Sequence, residues 1–321
     1  MTTSLKPVRT ISVAVVGVGL VGAEFVPPHP FRLISLSTSK ASLASLIRTD
    51  HDVVLVDNTS AESVAETYPA LLRAGVHIVT PNKKAFSGSQ TLYDQIVSAS
   101  FESGAKFLHE STVGAGLPVI STLKDLVATG DKVIKIEGVF SGTLSYIFNE
   151  FSTGSVDGPA FSTVVRSARD KGSHHQAAAI PLPNGYASVP TLSLVPPTLS
   201  LSSVPTGDAF LQALQAHDSH FAALRAEAAH QGPDGINGGD AAVLRYVGVI
   251  DADVEKGGWS VKASLERYPT THPFATSLGG SDNIIMFHTE RYGARPLIIQ
   301  GAGAGPAVTA MGVLSDLLKL A

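Results

Sequence analysis

Three glycines, Gly17, Gly19 and Gly22, follow directly on an apolar run rich in β-branched residues. At the exit of a strand this spacing suits a dinucleotide diphosphate. Gly17 permits the tight turn, Gly19 lets the pyrophosphate approach the backbone, and Gly22 lets the next helix pack closely on the strand. The backbone N–H groups of the turn, which also contains Val18, Leu20 and Val21, then face the phosphate oxygens. Two more polar clusters end apolar runs: Asp57-Asn58-Thr59-Ser60 and Thr80-Pro81-Asn82-Lys83-Lys84-Ala85-Phe86. Ligands of open α/β sheets bind at strand carboxyl ends. A lysine there can set a positive charge beside a carbonyl oxygen or a phosphate, although a lysine pair on a loop is ordinarily a solvated one. After the second apolar run stand Ser37, Ser39 and Lys40, with no acid to bind a ribose 2′-hydroxyl. That leans toward the 2′-phosphate of NADP; a solvated Lys40 is the equal alternative.

These clusters need a frame. Short apolar runs at 11–16, 31–36, 53–56 and 76–79 predict strands buried on both faces, as in a parallel sheet. The pattern over 61–74 predicts a helix with Thr59 or Ser60 as its cap and Gly75 just past its end, and 41–47 predicts a shorter one. Strand and helix alternate as in a Rossmann-type, doubly wound α/β domain over 1–107. Pro27, Pro28 and Pro30 limit the helix that opens at Gly22 to little more than a turn. Farther on, strands are predicted at 134–140, 242–250, 259–266 and 283–288, with helices around 117–128 and 208–229. This is an α+β pattern, read as a substrate-binding and dimerisation domain over 108–303. The tail 304–321 turns helical after a glycine-rich bend and is expected to pack back and complete the first domain. Segments 173–205 and 230–240 do not read as packed elements.

A chain of 321 residues suits two domains, and 44% hydrophobic with 16% charged residues is a soluble, globular composition. A formal charge of −4 with no basic run argues against nucleic acid or an anionic membrane surface as partner. No run is apolar for long enough to span a bilayer, and the first ten residues lack the apolar core of a signal peptide. Without cysteine there is no disulfide, thiolate nucleophile or zinc–cysteine site, which fits a reducing compartment. A cytoplasmic location is expected.

The run His109-Glu110-Ser111-Thr112-Val113-Gly114-Ala115-Gly116-Leu117-Pro118 is followed by Glu137-Gly138-Val139-Phe140-Ser141-Gly142-Thr143-Leu144-Ser145-Tyr146. Later come His272-Pro273-Phe274, Gly280-Ser281-Asp282-Asn283 and Gln300-Gly301-Ala302-Gly303-Ala304-Gly305. Together with the lysine motif, and in this order, they resemble homoserine dehydrogenases, most nearly the short fungal type without an aspartokinase domain. The resemblance implies a homodimer that reduces aspartate 4-semialdehyde to homoserine with NADH or NADPH, on the route to threonine and methionine. It implies cofactor contacts at Gly17, Val18, Gly19, Leu20, Val21, Gly22, Asn58, Thr59, Ser60, Lys84 and Gly305, with Lys84 also catalytic beside the reacting centre. It further implies a monovalent cation, sodium, held by Glu110 and the carbonyls of Val113, Ala115 and Leu117, an all-oxygen set that suits a hard ion.

One segment departs from the family. After Lys171-Gly172 the family continues into Glu-Pro-Asp-Pro-x-x-Asp and a helix with further Asp and a catalytic Lys, which grip the substrate amino group and move its proton. Here the chain reads Ser173-His174-His175-Gln176, and 173–205 holds no Asp, Glu, Lys or Arg. A histidine can transfer a proton but cannot also supply carboxylates for an ammonium group. The departure implies impaired turnover, with a non-catalytic dinucleotide-binding paralogue or a truncated gene product as the alternative. A dehydrogenase for another small aldehyde is the third reading.

Overall fold

Apolar residues at every position of a strand, rather than at alternate ones, call for cover on both faces, and the first two central strands receive it. The computed structural model describes residues 11–17, 19–24, 32–37, 52–170, 206–231, 241–253 and 258–321. Val18, the three prolines, the 41–47 helix, Ser39, Lys40, 173–205 with both histidines, and 232–240 lie outside the described residues. The strands are β1 (Ser12–Val16), β2 (Arg32–Ser37), β3 (Val53–Asp57), β4 (His77–Val79), β5 (Phe107–Leu108), β6 (Val133–Val139), β7 (Ala242–Asp253), β8 (Gly258–Pro269), β9 (Asp282–Thr289) and β10 (Leu297–Ala302). The helices are α1 (Leu20–Glu24), α2 (Glu62–Ala65), α3 (Tyr68–Arg73), α4 (Lys84–Ser87), α5 (Gln90–Ser103), α6 (Val119–Ala128), α7 (Gly142–Phe151), α8 (Phe161–Asp170), α9 (Gly207–Gln215), α10 (Asp218–Gln231), α11 (Pro273–Thr276) and α12 (Pro306–Leu318). Packing divides the described chain into two units. One runs to Thr122 and takes back Ala304–Ala321; the other begins at Leu123 and ends at Gly303.

The first unit is a five-stranded parallel sheet in the order β2-β1-β3-β4-β5. All five residues of β1 and of β3 are buried. Ala14, Val16, Leu55 and Ile78 face Val64, Leu71, Leu72, Ile96 and Ala99 of the preceding-to-following helices α2, α3 and α5. On the opposite face Val13, Val15, Val54, Val56 and Val79 meet Ala310, Val313 and Leu317 of α12. Each fully buried valine or leucine contributes about 1.5–3 kcal/mol, so the tail helix is half of this unit's cover. The helix expected over 61–74 is two helices, because Pro69 occupies the first turn of α3 and cannot continue α2. Ala61, not Thr59 or Ser60, is the N-cap of α2, while Thr59 Oγ1 accepts the Ala61 N–H at 3.2 Å. Gly75 ends α3 at a φ of +84°.

The second unit is a five-stranded antiparallel sheet ordered β10-β9-β6-β7-β8. Strands β7 and β8 pair along their full length, from Ala242 opposite Pro269 to Asp253 opposite Gly258. One face packs Leu244 and Tyr246 beneath an aromatic group from the helices: Phe148, Phe151, Phe161 and Phe221. The other carries Val139, Val247, Val249, Ile284 and Met286 with Phe274. The helical stretch expected over 208–229 is again two, α9 and α10. Among the described residues no helix is long and apolar enough to cross a membrane.

Candidate functional site

The chain passes from β1 outward to β2 on one side and continues through β3, β4 and β5 on the other. The carboxyl ends of β1 and β3 therefore flank the point where strand order reverses, the usual crevice for a ligand in such sheets. Gly17 stands at the end of β1 with a φ of +86°, and a Cβ there would lie 2.8 Å from Thr59 Cγ2 and 2.9 Å from the Asn58 carbonyl carbon. A Cβ on Gly22 would overlap the Gly17 carbonyl oxygen. The protein's own packing thus requires both glycines. Gly19 differs: it is exposed, and a Cβ there meets none of the described residues within 4 Å. Leu20 is 79% exposed, whereas Val21 is partly buried against the α12 side of the core. Helix α1 is described over Leu20–Glu24, and the prolines expected to limit it lie outside the described residues.

Asn58 follows β3, held by its N–H on the Val16 carbonyl at 2.8 Å. Its side-chain Nδ2 and Oδ1 are both buried and, among the described residues, both lack a hydrogen-bond partner. Buried amides are nearly always bonded, so an orphaned pair of this kind calls for a further group, a water or a ligand. The open flank at Gly19 and the unsatisfied Asn58 amide fit a dinucleotide, whose phosphates and riboses carry acceptors and donors. Thr59 is half-buried and Ser60 exposed on the same loop.

Lys83 and Lys84 open α4, and both side chains are exposed. Surrounding protein desolvates the Lys83 ammonium enough to lower its pKa. The loop's backbone is fixed from beneath: Asn82, 1% exposed, accepts the Lys84 N–H on Oδ1 at 3.0 Å. Its Nδ2 donates to Asp57 Oδ2 at 3.0 Å and to the Ala61 carbonyl at 3.1 Å. Asp57 also accepts the Thr59 N–H at 2.8 Å and the Tyr68 hydroxyl, and desolvation with the adjacent carboxylate drives the Tyr68 pKa well upward. Phe86 stacks on Phe107 with ring centroids 5.6 Å apart. Tyr68 has no sequence signal, sitting inside a helical pattern; Asp57 stood out only as a polar strand end.

Gly305 has a φ of +131° and is the N-cap of α12, the helix that packs on α1. The same helix braces the Glu110 loop. Glu110, 5% exposed, accepts the N–H groups of Ile120 at 2.7 Å and Ser121 at 2.9 Å, capping α6, and lies 3.7 Å from the Lys319 ammonium. Asp316 takes the Glu110 N–H at 2.7 Å and pairs with Lys319 at 2.8 Å. Gly312 presses on this loop so closely that a Cβ would reach 3.0 Å from the Ala115 carbonyl oxygen. Ala115, at a φ of +54°, is the only non-glycine with positive φ among the described residues, and Gly114 before it is at +68°. The two successive left-handed residues bend the loop, and the Gly114 carbonyl accepts the Leu117 N–H at 2.9 Å. The Leu117 oxygen also accepts the Val119 N–H at 2.8 Å. Glu110, Val113, Ala115 and Leu117 thus share one braced loop whose oxygen donors suit a hard ion, with the carboxylate already engaged. Among the described residues no three His, Cys, Asp or Glu side chains form a metal cluster.

Comparison with known proteins decides the family. A model described as the NAD-binding domain of homoserine dehydrogenase matches residues 10–110, and the homoserine dehydrogenase model matches 118–177 and 234–318. The chain belongs to the homoserine dehydrogenase family. The homoserine dehydrogenase of Schizosaccharomyces pombe is 46% identical over 288 residues, 83% of this chain and 72% of that one. That of Saccharomyces cerevisiae is 37% identical over 98% of both chains. The latter alignment is 372 positions long, longer than this chain of 321, so the yeast protein carries stretches without counterpart here. A solved Candida auris protein described as being of unknown function superposes with a TM-score of 0.83 at 35% identity, covering 97% of this chain and 98% of that one. A hyperthermophilic archaeal homoserine dehydrogenase solved with NADPH shares the fold, with a TM-score of 0.59 at 20% identity over 97% of both chains. The homoserine dehydrogenase match is interrupted over 178–233, which includes most of the uncharged 173–205 stretch.

Proposed function

We propose that the chain binds NAD or NADP at the β1–β3 switch point and interconverts aspartate 4-semialdehyde and homoserine, with turnover weakened by its altered middle segment. The single observation that carries the cofactor reading is the buried, unpartnered Asn58 amide in the same unit as the open Gly19 flank. The reduced nicotinamide supplies a hydride to the aldehyde carbon, and the oxygen takes a proton. Gly17 and Gly22 shape the phosphate turn; Thr59 and Ser60 extend the Asn58 surface, and Gly305 starts the helix behind it. Lys84, on a backbone fixed by Asn82, offers the cation that offsets negative charge developing on the substrate oxygen. The carbonyls of Val113, Ala115 and Leu117 with Glu110 would hold a monovalent cation such as sodium. A homodimer through the second unit and a cytoplasmic location complete the proposal.

A second reading, nucleotide binding without turnover, is favoured by the absence of any charged Asp, Glu, Lys or Arg over 173–205. Purified chain decides between them. Semialdehyde-dependent oxidation of NADPH or NADH establishes the reductase; nucleotide binding with no turnover establishes the second reading; no binding of either nucleotide sinks both. Turnover in sodium and in choline chloride at equal ionic strength tests the cation, and equal rates remove it. Sedimentation equilibrium tests the dimer, and fractionation of the source cell tests the location.

A further inference from the structure

We infer that Asp57 is a positioning residue that sets the loop after β3 and the loop after β4 as one body, so that Asn58 and Lys84 present a fixed pair of groups to the nucleotide. This rests on the cofactor reading above. Asp57 is 0% exposed, and no cation pairs with it among the contacts described; N–H and O–H donors from three places meet it instead. Its Oδ1 accepts the Thr59 N–H at 2.8 Å, which holds its own loop. Its Oδ2 accepts the Tyr68 hydroxyl and, at 3.0 Å, Asn82 Nδ2. The other end of the Asn82 amide accepts the Lys84 N–H at 3.0 Å. A second strand of the same net ties the loops by backbone: Thr80 Oγ1 donates to the Asp57 carbonyl at 2.8 Å and accepts the Asn82 N–H at 2.9 Å.

A buried carboxylate is costly, and removing it from water is tolerated only when its lone pairs are filled. Filling them here consumes donors from both loops at once, which is what couples the loops. The carboxylate also fixes the sense of the Asn82 amide. An acceptor-only group at 57 forces Nδ2 toward itself and leaves Oδ1 for Lys84. Asn58, next to Asp57 in sequence, has an amide with no partner among the described residues.

The test is Asp57→Asn. It keeps the size of the side chain but puts an NH2 group where acceptors are needed, against the Thr59 N–H in one orientation and Asn82 Nδ2 in the other. In the second case, turning Asn82 over points N–H at N–H on Lys84 and its oxygen at the Ala61 carbonyl. Fluorescence titration with NADPH is expected to show affinity falling about tenfold or more, equivalent to about 1.4 kcal/mol. Amide hydrogen exchange without nucleotide is expected to speed at Thr59 or at Lys84 in the same variant. Tyr68→Phe, which removes one donor and leaves the amide sense intact, is expected to cost only about threefold in affinity. A folded Asp57→Asn protein with wild-type affinity, or with wild-type exchange at both Thr59 and Lys84, overturns the inference while the cofactor reading stands. A wild-type chain that binds no nucleotide overturns both. Should Asp57→Asn not fold, Asn82→Ala replaces it: it removes the bridge between Asp57 and Lys84 together with the bond to the Ala61 carbonyl, and unchanged NADPH affinity in that variant overturns the inference.

Discussion

Two buried charge systems in this molecule solve the same problem with opposite sign. In the first unit Asp57, Glu110 and Asp316 are buried carboxylates that collect N–H and O–H donors from strand ends and helix starts. In the second, Arg225 and Arg245 are buried guanidinium groups that collect carbonyls around the end of α7. Arg245 bonds the carbonyls of Phe274, Phe148, Ser152 and Leu244 at 2.8–3.1 Å, and burial lowers its pKa to about 10. Arg225 reaches those of Val156, Pro159 and Gly158, with its guanidinium 4.7 Å from the Phe151 ring centroid. The difference lies in what is left over. No nitrogen of either arginine is buried without a partner, whereas beside Asp57 the Asn58 amide has two unpartnered atoms. A closed network holds structure; a network with open valences holds structure and awaits a ligand.

Breaking the closed network should have the largest effect. Arg245→Met takes a donor from four carbonyls, of which that of Phe148 keeps the Ser152 N–H, and is expected to cost about 3 kcal/mol, at roughly 1 kcal/mol for each of the other three, in chemical denaturation. An unchanged midpoint would remove Arg245 as a staple. On the open side, Lys84→Ala is expected to lower turnover about tenfold or more by loss of charge stabilisation near the carbonyl, with folding unaffected. Equal steady-state rates would take Lys84 out of the mechanism. Asn58→Ala sharpens the contrast most: it should weaken NADPH binding about fivefold while changing stability by less than ~0.5 kcal/mol, since no partner is abandoned. A loss of stability without a loss of binding would place Asn58 among the structural groups.

The smallest effect concerns acid. Burial alone would raise the Glu137 pKa, but the Lys135 ammonium at 2.7 Å and the His288 ring at 2.8 Å bring it below the usual carboxylate value. Its contribution is complete above the unfolded value, about 4.3, and disappears as pH falls through the lower folded one. Denaturation midpoints should therefore decline on acidification through this window, and Glu137→Gln should flatten the decline. A slope identical in both proteins would dismiss the pair.

The β1 strand and its glycines were legible because strand, turn and spacing are local signals. Gly17 and Gly22 nonetheless prove necessary for contacts with the chain itself, which only the close approach of the β3 loop reveals. The break between α2 and α3 is hidden by the helical periodicity of 61–74, which runs on across Pro69. Asp57 could be seen as polar at a strand end, but its partners Tyr68 and Asn82 meet it through the pairing of β3 with β4, which no window of sequence contains. Asp316 and Lys319 reach Glu110 across 206 and 209 residues, beyond any local pattern. The motif resemblance supplied the cation loop, which composition alone reads as a glycine turn.

Helix α12 covers the valines of β1 and β3 and braces the Glu110 loop, yet it follows them in sequence only after the whole second unit. Domains ordinarily fold in the order they leave the ribosome. Here the first sheet lacks α12 until residues 304–321 have been translated, while the segment from 123 to 303 already has its own core. A stop codon anywhere between Leu123 and Ala304 would therefore injure the unit translated before it, the one in which the nucleotide site is proposed.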